Sequence, residues 1–335
     1  MRMQDCLVVQ GTPAAPLLQH PIDSRKAWTR DTISAADWTL SVPPEALREI
    51  DAMVAALRKD PLPTLVCTPD LFRLDACRAL MHQARDVLRD GIGLAVVERL
   101  PLDAMSVEEA RTVYWVLGQL VERLVAQKWD GTMLYDVTDT GRTLQYGVRG
   151  SWTNTELYFH TDNAFAVAPP TYVSLLCLHP AQSGGVSRFC SLYTVHNRLL
   201  ERYPRLLQRL YEPFYFDRQA EHAPGAPKVS VSPAFSFDGH GLRARLAATL
   251  VRKGYALMDE PLDPMGAEAL AALDEVMQDE DLWVEFVIQR GQMQYLNNFE
   301  FAHFRSEFKD AADPALKRHL IRLWYRAEGR PSYDG

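Results

Sequence analysis

The sequence predicts a mainly β protein with flanking helices, built on a double-stranded β-helix, or jelly roll. Three observations predict it. From about Leu134 onward the apolar segments are short and rich in Val, Tyr, Phe and Thr, with Gly, Pro, Asp and Asn between them, which is how antiparallel strands and their turns read. Helical periodicity is strongest before that point. His160 and Asp162 lie in one segment and His303 far along the chain, a separation that a closed sheet is able to bridge.

The elements follow in order. The first seventy residues are punctuated by Pro13, Pro16, Pro21, Pro43, Pro44, Pro61 and Pro63 and read as loops and short elements. Asp70 to Arg89 sets Leu71, Leu74, Cys77, Leu80, Met81, Ala84, Val87 and Leu88 at helical spacing. Gly91 to Val97 reads as a buried strand. Ser106-Val107-Glu108-Glu109 has the capping-box pattern and opens a second amphipathic helix through Leu124. Within the β region, helices are expected over about Thr194 to Tyr211 and Gly266 to Gln278. Leu157-Tyr158-Phe159, Tyr172 to Leu178 and Met293 to Leu296 read as strands. Gln219 to Pro233, with three prolines and a glycine, reads as a loop, either a mobile cover over a pocket or a plain surface excursion.

Bulk properties narrow the function. A hydrophobic content of 47% over 335 residues is ample for a sizeable core. A net charge of −7 argues against general nucleic-acid binding, which wants a basic face. No run approaches the ~20 apolar residues of a membrane span, and Met1 to Gln10 does not read as a signal peptide. Cys6, Cys67, Cys77, Cys177 and Cys190 are odd in number and lack any C-x-x-C spacing, so they read as buried or indifferent thiols of a reducing, cytoplasmic compartment. The expected partner is a small molecule, with neither nucleic acid nor membrane; the oligomeric state is not readable.

The chemistry sits in two segments. On an extended chain His160 and Asp162 point to the same side, about 6–7 Å apart at Cα, and so reach one metal ion together. With His303 they complete two imidazoles and one carboxylate, a set that caps one face of an octahedral metal and leaves the other open. Arg318 has no obvious partner and suits a carboxylate cosubstrate. Asn163 and Asn298 flank the ligands, either orienting them or serving as turn residues. Trp152, Tyr158, Phe165 and Trp324 read mostly as core, with one or two walling a pocket. His20, His82, His179, His196, His222, His240 and His319 lack a partnered spacing and read as ordinary surface or core histidines.

His160-Thr161-Asp162, Pro169-Pro170, Gly184 to Ser187, Asn298 to His303 and Arg318 to Arg322 together resemble the taurine dioxygenase/2,4-D dioxygenase superfamily of iron(II)- and 2-oxoglutarate-dependent oxygenases, which includes the clavaminate synthase-like enzymes. The similarity runs from about Gly91 onward. It implies an N-terminal extension over residues 1–90 packed on a jelly-roll domain over residues 91–335. His160, Asp162 and His303 would hold Fe(II) and carry the catalysis. Arg318 and Ser187 would bind 2-oxoglutarate, and Arg322 would meet an acidic group of the primary substrate or support the cosubstrate, the plain alternative for it being a structural salt bridge. With O2, such an enzyme oxidises an unactivated C–H of a small acidic or zwitterionic molecule while 2-oxoglutarate is decarboxylated to succinate and carbon dioxide. The carboxylate at Asp162 favours hydroxylation over halogenation, where related enzymes carry a small residue. Two rivals remain at this point: a zinc hydrolase on the same three residues, which leaves Arg318 unexplained, and a jelly-roll binding protein without turnover.

Overall fold

The computed structural model describes residues 6–9, 17–143, 145, 147–237, 239 and 241–334. Two sheets form the jelly roll. The larger runs, by neighbours, through Thr39–Ser41, Leu94–Glu98, Met293–Asn297, Tyr172–His179 and His319–Tyr325, with Leu124–Val125 and Tyr135–Val137 both pairing to the last of these. The smaller runs through Trp283–Phe286, Ser187–Ser191, Phe301–Arg305 and Leu157–His160. All of its pairings are antiparallel. The anticipated double-stranded β-helix is therefore the observed fold, and the strands read from sequence occur within three residues of their expected bounds, the strand expected from Gly91 beginning at Leu94.

Two apolar cores lie outside the strands that carry the site. On one side, helices Pro44–Lys59, Asp75–Arg89 and Val107–Gln119 bury Ile50, Met53, Met81 and Val113 against Tyr295, Ile321 and Leu323 of the larger sheet. On the other, helices Leu192–Arg202, Pro204–Leu210, Ala248–Met258 and Pro264–Val276 pack around Phe214, Phe235 and Leu273. Residues before 90 are thus woven into the core. Thr39–Ser41 pairs in parallel with Leu94–Glu98, and Cys6–Val8 with Val229–Pro233. A hydroxyl chain crosses the first core, Tyr114 to Ser174 to Tyr325, so each buried oxygen has a partner.

The helical expectations need five corrections. The proline-rich opening contains a sixteen-residue helix, Pro44–Lys59, because Pro44 stands at the first helical position, where its missing N–H costs nothing. The helix expected from Asp70 begins at Asp75; Pro69–Leu71 is a separate 3-10 turn, and the Glu49 carboxylate accepts the N–H groups of Ala76 and Cys77. The Ser106 capping box forms as anticipated, but its helix stops at Gln119 and Leu124–Val125 joins the sheet. The single helix over 194–211 is two, broken before Pro204, whose ring excludes the preceding helical turn. The helix Ala248–Met258 was not anticipated. It opens without a side-chain cap and carries Gly254, and a Cβ there would lie 2.4 Å from the Tyr215 carbonyl oxygen, so close packing dictates the glycine that disguises the helix. The loop expected over 219–233 is shorter, since Val229–Pro233 pairs with Pro213–Asp217.

All five cysteines are free and buried. Burial pushes the Cys77 and Cys177 thiols up to about 12. No helix among the described residues is long and apolar enough to cross a membrane. His240 lies outside the described residues.

Gly93 joins the first core to the site-bearing strands. Its φ is +77°, and a Cβ there would fall 1.8 Å from the Phe301 ring. Gly93→Ala is expected to lower stability by about 3 kcal/mol, the sum of left-handed backbone strain and overpacking. Thermal unfolding of the purified variant checks this.

Candidate metal centre

The register of two strands makes the site. In the antiparallel pair Leu157–His160 and Phe301–Arg305, His303 stands directly opposite His160. Their ring centroids are 4.2 Å apart. The His160 Nδ1 lies 2.7 Å from the Tyr158 carbonyl oxygen, so in the tautomer that donates there its Nε2 lone pair faces inward. That Nε2 is 3.7 Å from Asp162 Oδ1, and His303 Nε2 is 3.5 Å from the same oxygen. One ligand atom from each of the three lies within 4.8 Å of the others. Among the described residues no other group of three His, Cys, Asp or Glu side chains converges in this way.

Asp162 lies just beyond the strand end, and its backbone is held in place. Asn298 Oδ1 accepts the Asp162 N–H at 2.7 Å, while its Nδ2 donates to the Asp162 and Pro170 carbonyls at 3.0 and 3.1 Å. Thr161 exchanges two hydrogen bonds with Leu246, through its N–H and its hydroxyl. Asn163 turns the chain with φ +56°. Of the two flanking asparagines, Asn298 therefore orients the ligand segment and Asn163 is the turn residue. The Asp162 carboxylate spends its other oxygen, Oδ2, on Arg322 Nη1 at 2.9 Å and Trp324 Nε1 at 2.8 Å.

The electrostatics suit a divalent cation. Burial would push the Asp162 carboxyl up, but Arg322 and His303 beside it outweigh that and hold it well below the usual carboxylate range. Burial and the neighbouring His303 push His160 down to about 4, so at neutral pH its nitrogen keeps the lone pair that a metal requires. Two nitrogens and one anionic oxygen on a single face fit iron(II).

A cavity of about 660 Å³ opens beside the triad. His160, Asp162, Arg322 and Trp324 line it, as do Phe165 and the exposed Tyr158, so three of the four aromatics singled out in the sequence reach this wall. Charges of both signs face it: Arg149 and Lys253 against Asp217, Glu221 and Asp274. Arg149 pairs with Glu221, which fastens the 218–228 loop to this wall.

Arg318 and Ser187 are buried and do not line that cavity. Arg318 has an Nη1 with no partner among the described residues. Burial lowers its guanidinium to about 10. It sits against the Gly184–Gly185 turn, where a Cβ on Gly185 would be 3.4 Å from Arg318 Nε. Ser187 follows two residues later, opposite Arg305. Arg322 is engaged rather than bare: besides Asp162 it donates from Nε to Gln127 Oε1 at 2.8 Å. Sequence reasoning missed Gln127 altogether and read Trp324 only as an aromatic. The signal for Trp324 was its position two residues after Arg322, on the same strand face. His319, unassigned from sequence, pairs with Asp136 at 2.7 Å.

Comparison with known proteins agrees with this geometry. The family model described as "Taurine catabolism dioxygenase TauD, TfdA family" matches residues 61–324. The chain is 26% identical over 318 residues to FR-33289 synthase of Streptomyces rubellomurinus (strain ATCC 31215), covering 93% of this chain and 92% of that protein. It is 25% identical to the taurine hydroxylase-like protein SAT17 of Stachybotrys chartarum (strain CBS 109288 / IBT 7711), covering 91% and 80%. Among solved structures, an asparagine oxygenase in complex with Fe(II), 2S,3S-3-hydroxyasparagine and succinate superposes with a TM-score of 0.65 at 19% identity, covering 87% of this chain and 94% of that one. The non-heme iron oxygenase OrfP in complex with Fe and alpha-ketoglutaric acid gives 0.63 at 16% identity, with the same coverage.

Asn298→Ala removes three hydrogen bonds that hold the Asp162 segment. It is expected to cost about 3 kcal/mol of stability and to weaken Fe(II) binding by about 10- to 100-fold. Denaturant unfolding and metal titration of the variant measure the two effects separately.

Proposed function

Because the chain belongs to the taurine catabolism dioxygenase TauD, TfdA family, we propose that His160, Asp162 and His303 are its iron ligands and that the charged cavity beside them takes a small zwitterionic molecule, an amino acid or a near relative. The protein is an iron(II)- and 2-oxoglutarate-dependent oxygenase. The observation that carries the assignment of the ligands is the convergence of His160 and Asp162 with the distant His303 on one point beside that cavity. When bound, iron with 2-oxoglutarate and O2 supplies an oxidant strong enough for an unactivated C–H, while the keto acid becomes succinate and carbon dioxide.

The chain's own residues bind and orient. Arg318 is a buried cation with an open donor, which a distal carboxylate would satisfy in a charge-assisted pair. Ser187, two residues after the Gly185 that Arg318 sits against, would add its hydroxyl to the same carboxylate. Arg322 lines the cavity, and its Nη2 makes no hydrogen bond among the described residues, so it is available to an acid group of the primary substrate. Asp217 and Asp274, both pushed up by burial, offer carboxylates to a substrate ammonium. The asparagine oxygenase and OrfP structures contain hydroxylated amino acids, which suits this substrate class. Hydroxylation is the outcome that an intact carboxylate ligand favours. Residues 1–90 act as an extension packed on the catalytic domain, and five free, buried thiols suit a cytoplasmic setting.

Two measurements test the reading. A panel of free amino acids and small zwitterions is expected to stimulate iron-dependent release of succinate and carbon dioxide from 2-oxoglutarate; stimulation confined to neutral molecules refutes the substrate class. Arg318→Met is expected to raise the KM for 2-oxoglutarate by roughly 100-fold, as for other buried carboxylate pairs that lose one partner. The KM for the primary substrate should change little.

A further inference from the structure

Asp162 has two oxygens, and the fold treats them differently. Oδ1 faces the two imidazoles at 3.5 and 3.7 Å. Oδ2 receives Arg322 Nη1 at 2.9 Å and Trp324 Nε1 at 2.8 Å. We propose that Arg322 and Trp324 are positioning residues that restrict Asp162 to one-oxygen ligation of the metal.

The two donors come from one face of one strand, His319–Tyr325, which is paired along both edges and so has little freedom to follow a moving carboxylate. Arg322 is itself held. Its guanidinium carbon lies 4.7 Å from the centre of the Tyr135 ring and 4.7 Å from that of Trp324. Its Nε donates to Gln127 Oε1 at 2.8 Å. Gln127 is fully buried, and its Nε2 donates to the Met133 and Arg322 carbonyls, both at 2.7 Å. Those two acceptors dictate which end of the amide carries nitrogen, so Oε1 must face the arginine. Trp324 is 4% exposed, wedged among Val125 and Val173. For Oδ2 to swing onto a metal, two hydrogen bonds accepted by a buried carboxylate, one of them from a guanidinium, would have to break.

The consequence is a count of open positions. A six-coordinate ion held by three protein atoms keeps three positions. A chelating keto acid takes two of them and leaves one. Were both Asp162 oxygens bound, the chelate would fill the last two positions and nothing further could enter. Arg322 thus serves the open face of the metal while also lining the cavity. This inference rests on the reading of the triad as the metal centre.

Mn(II) is the probe, titrated into the metal-free protein, with water-proton relaxivity per bound ion as the readout. The wild type is expected to bind one Mn(II) and show the relaxivity of about three coordinated waters. Trp324→Phe keeps a ring and removes the donor, while Arg322→Lys keeps the charge and removes the fork. Each is expected to bind Mn(II) with relaxivity per ion reduced by about a third, as one water yields to Oδ2. Wild-type relaxivity in the folded variants at saturating Mn(II) overturns the proposal. If Trp324→Phe does not fold, Arg322→Lys decides alone. A wild-type protein that binds no Mn(II) overturns the metal centre itself, a different result from intact binding with unaltered relaxivity.

Discussion

Everything at this site depends on one cross-strand register, His303 against His160. Side chains on a strand alternate between faces, so a slip by one residue would send one imidazole to the opposite side of the sheet. The register is well determined because Phe301–Arg305 is paired on both edges, with Ser187–Ser191 on the other side and His303 opposite Phe189 there. Phe301, at the start of the same strand, stacks on Trp28 at 5.8 Å between centroids and fills the space that Gly93 leaves open. Packing in the interior therefore fixes the depth of the strand, and hydrogen bonds fix its register.

Around that pair the fold accepts expensive electrostatics. Asp162, Arg318 and Arg305 are buried, and the carboxylate alone has full compensation, from Arg322, Trp324 and the imidazoles. Burial lowers Arg305 to about 9, with Arg318 nearby adding to the effect, and each arginine keeps one nitrogen without a partner among the described residues. Buried cations left in this way cost stability. The two large apolar cores, one under each set of helices, are what let the molecule tolerate it. A folded state that holds unsatisfied cations in its interior is prepared for an anion.

Much of this was legible in the residues. The strands that carry the ligands alternate or run apolar as strands should, and His160, Asp162 and His303 converge as expected. Where the reading failed, tertiary packing had overridden a local signal. Gly254 weakens a helix as sequence because it permits contact with Tyr215 as structure. Pro43 and Pro44 look like breakers yet start the longest helix of the N-terminal region. Gln127 sits 35 positions from Asp162 in a stretch without pattern and gains its role only because Arg322 is brought to it from the far end of the chain. Such partners are set by three-dimensional closure, and one-dimensional periodicity carries no trace of them.

The strand Leu157–His160 is four residues long and has a neighbour on one side only. As a short edge strand it is exposed to fraying. An ion bound there would stitch that margin to its neighbour and to the turn at Asp162, and by mass action a concentration 100 times the dissociation constant adds about 2.7 kcal/mol to the bound state. Loading with metal would thus double as a step in maturation. Chains that fail to acquire it would keep a loose hem, open to proteolytic attack.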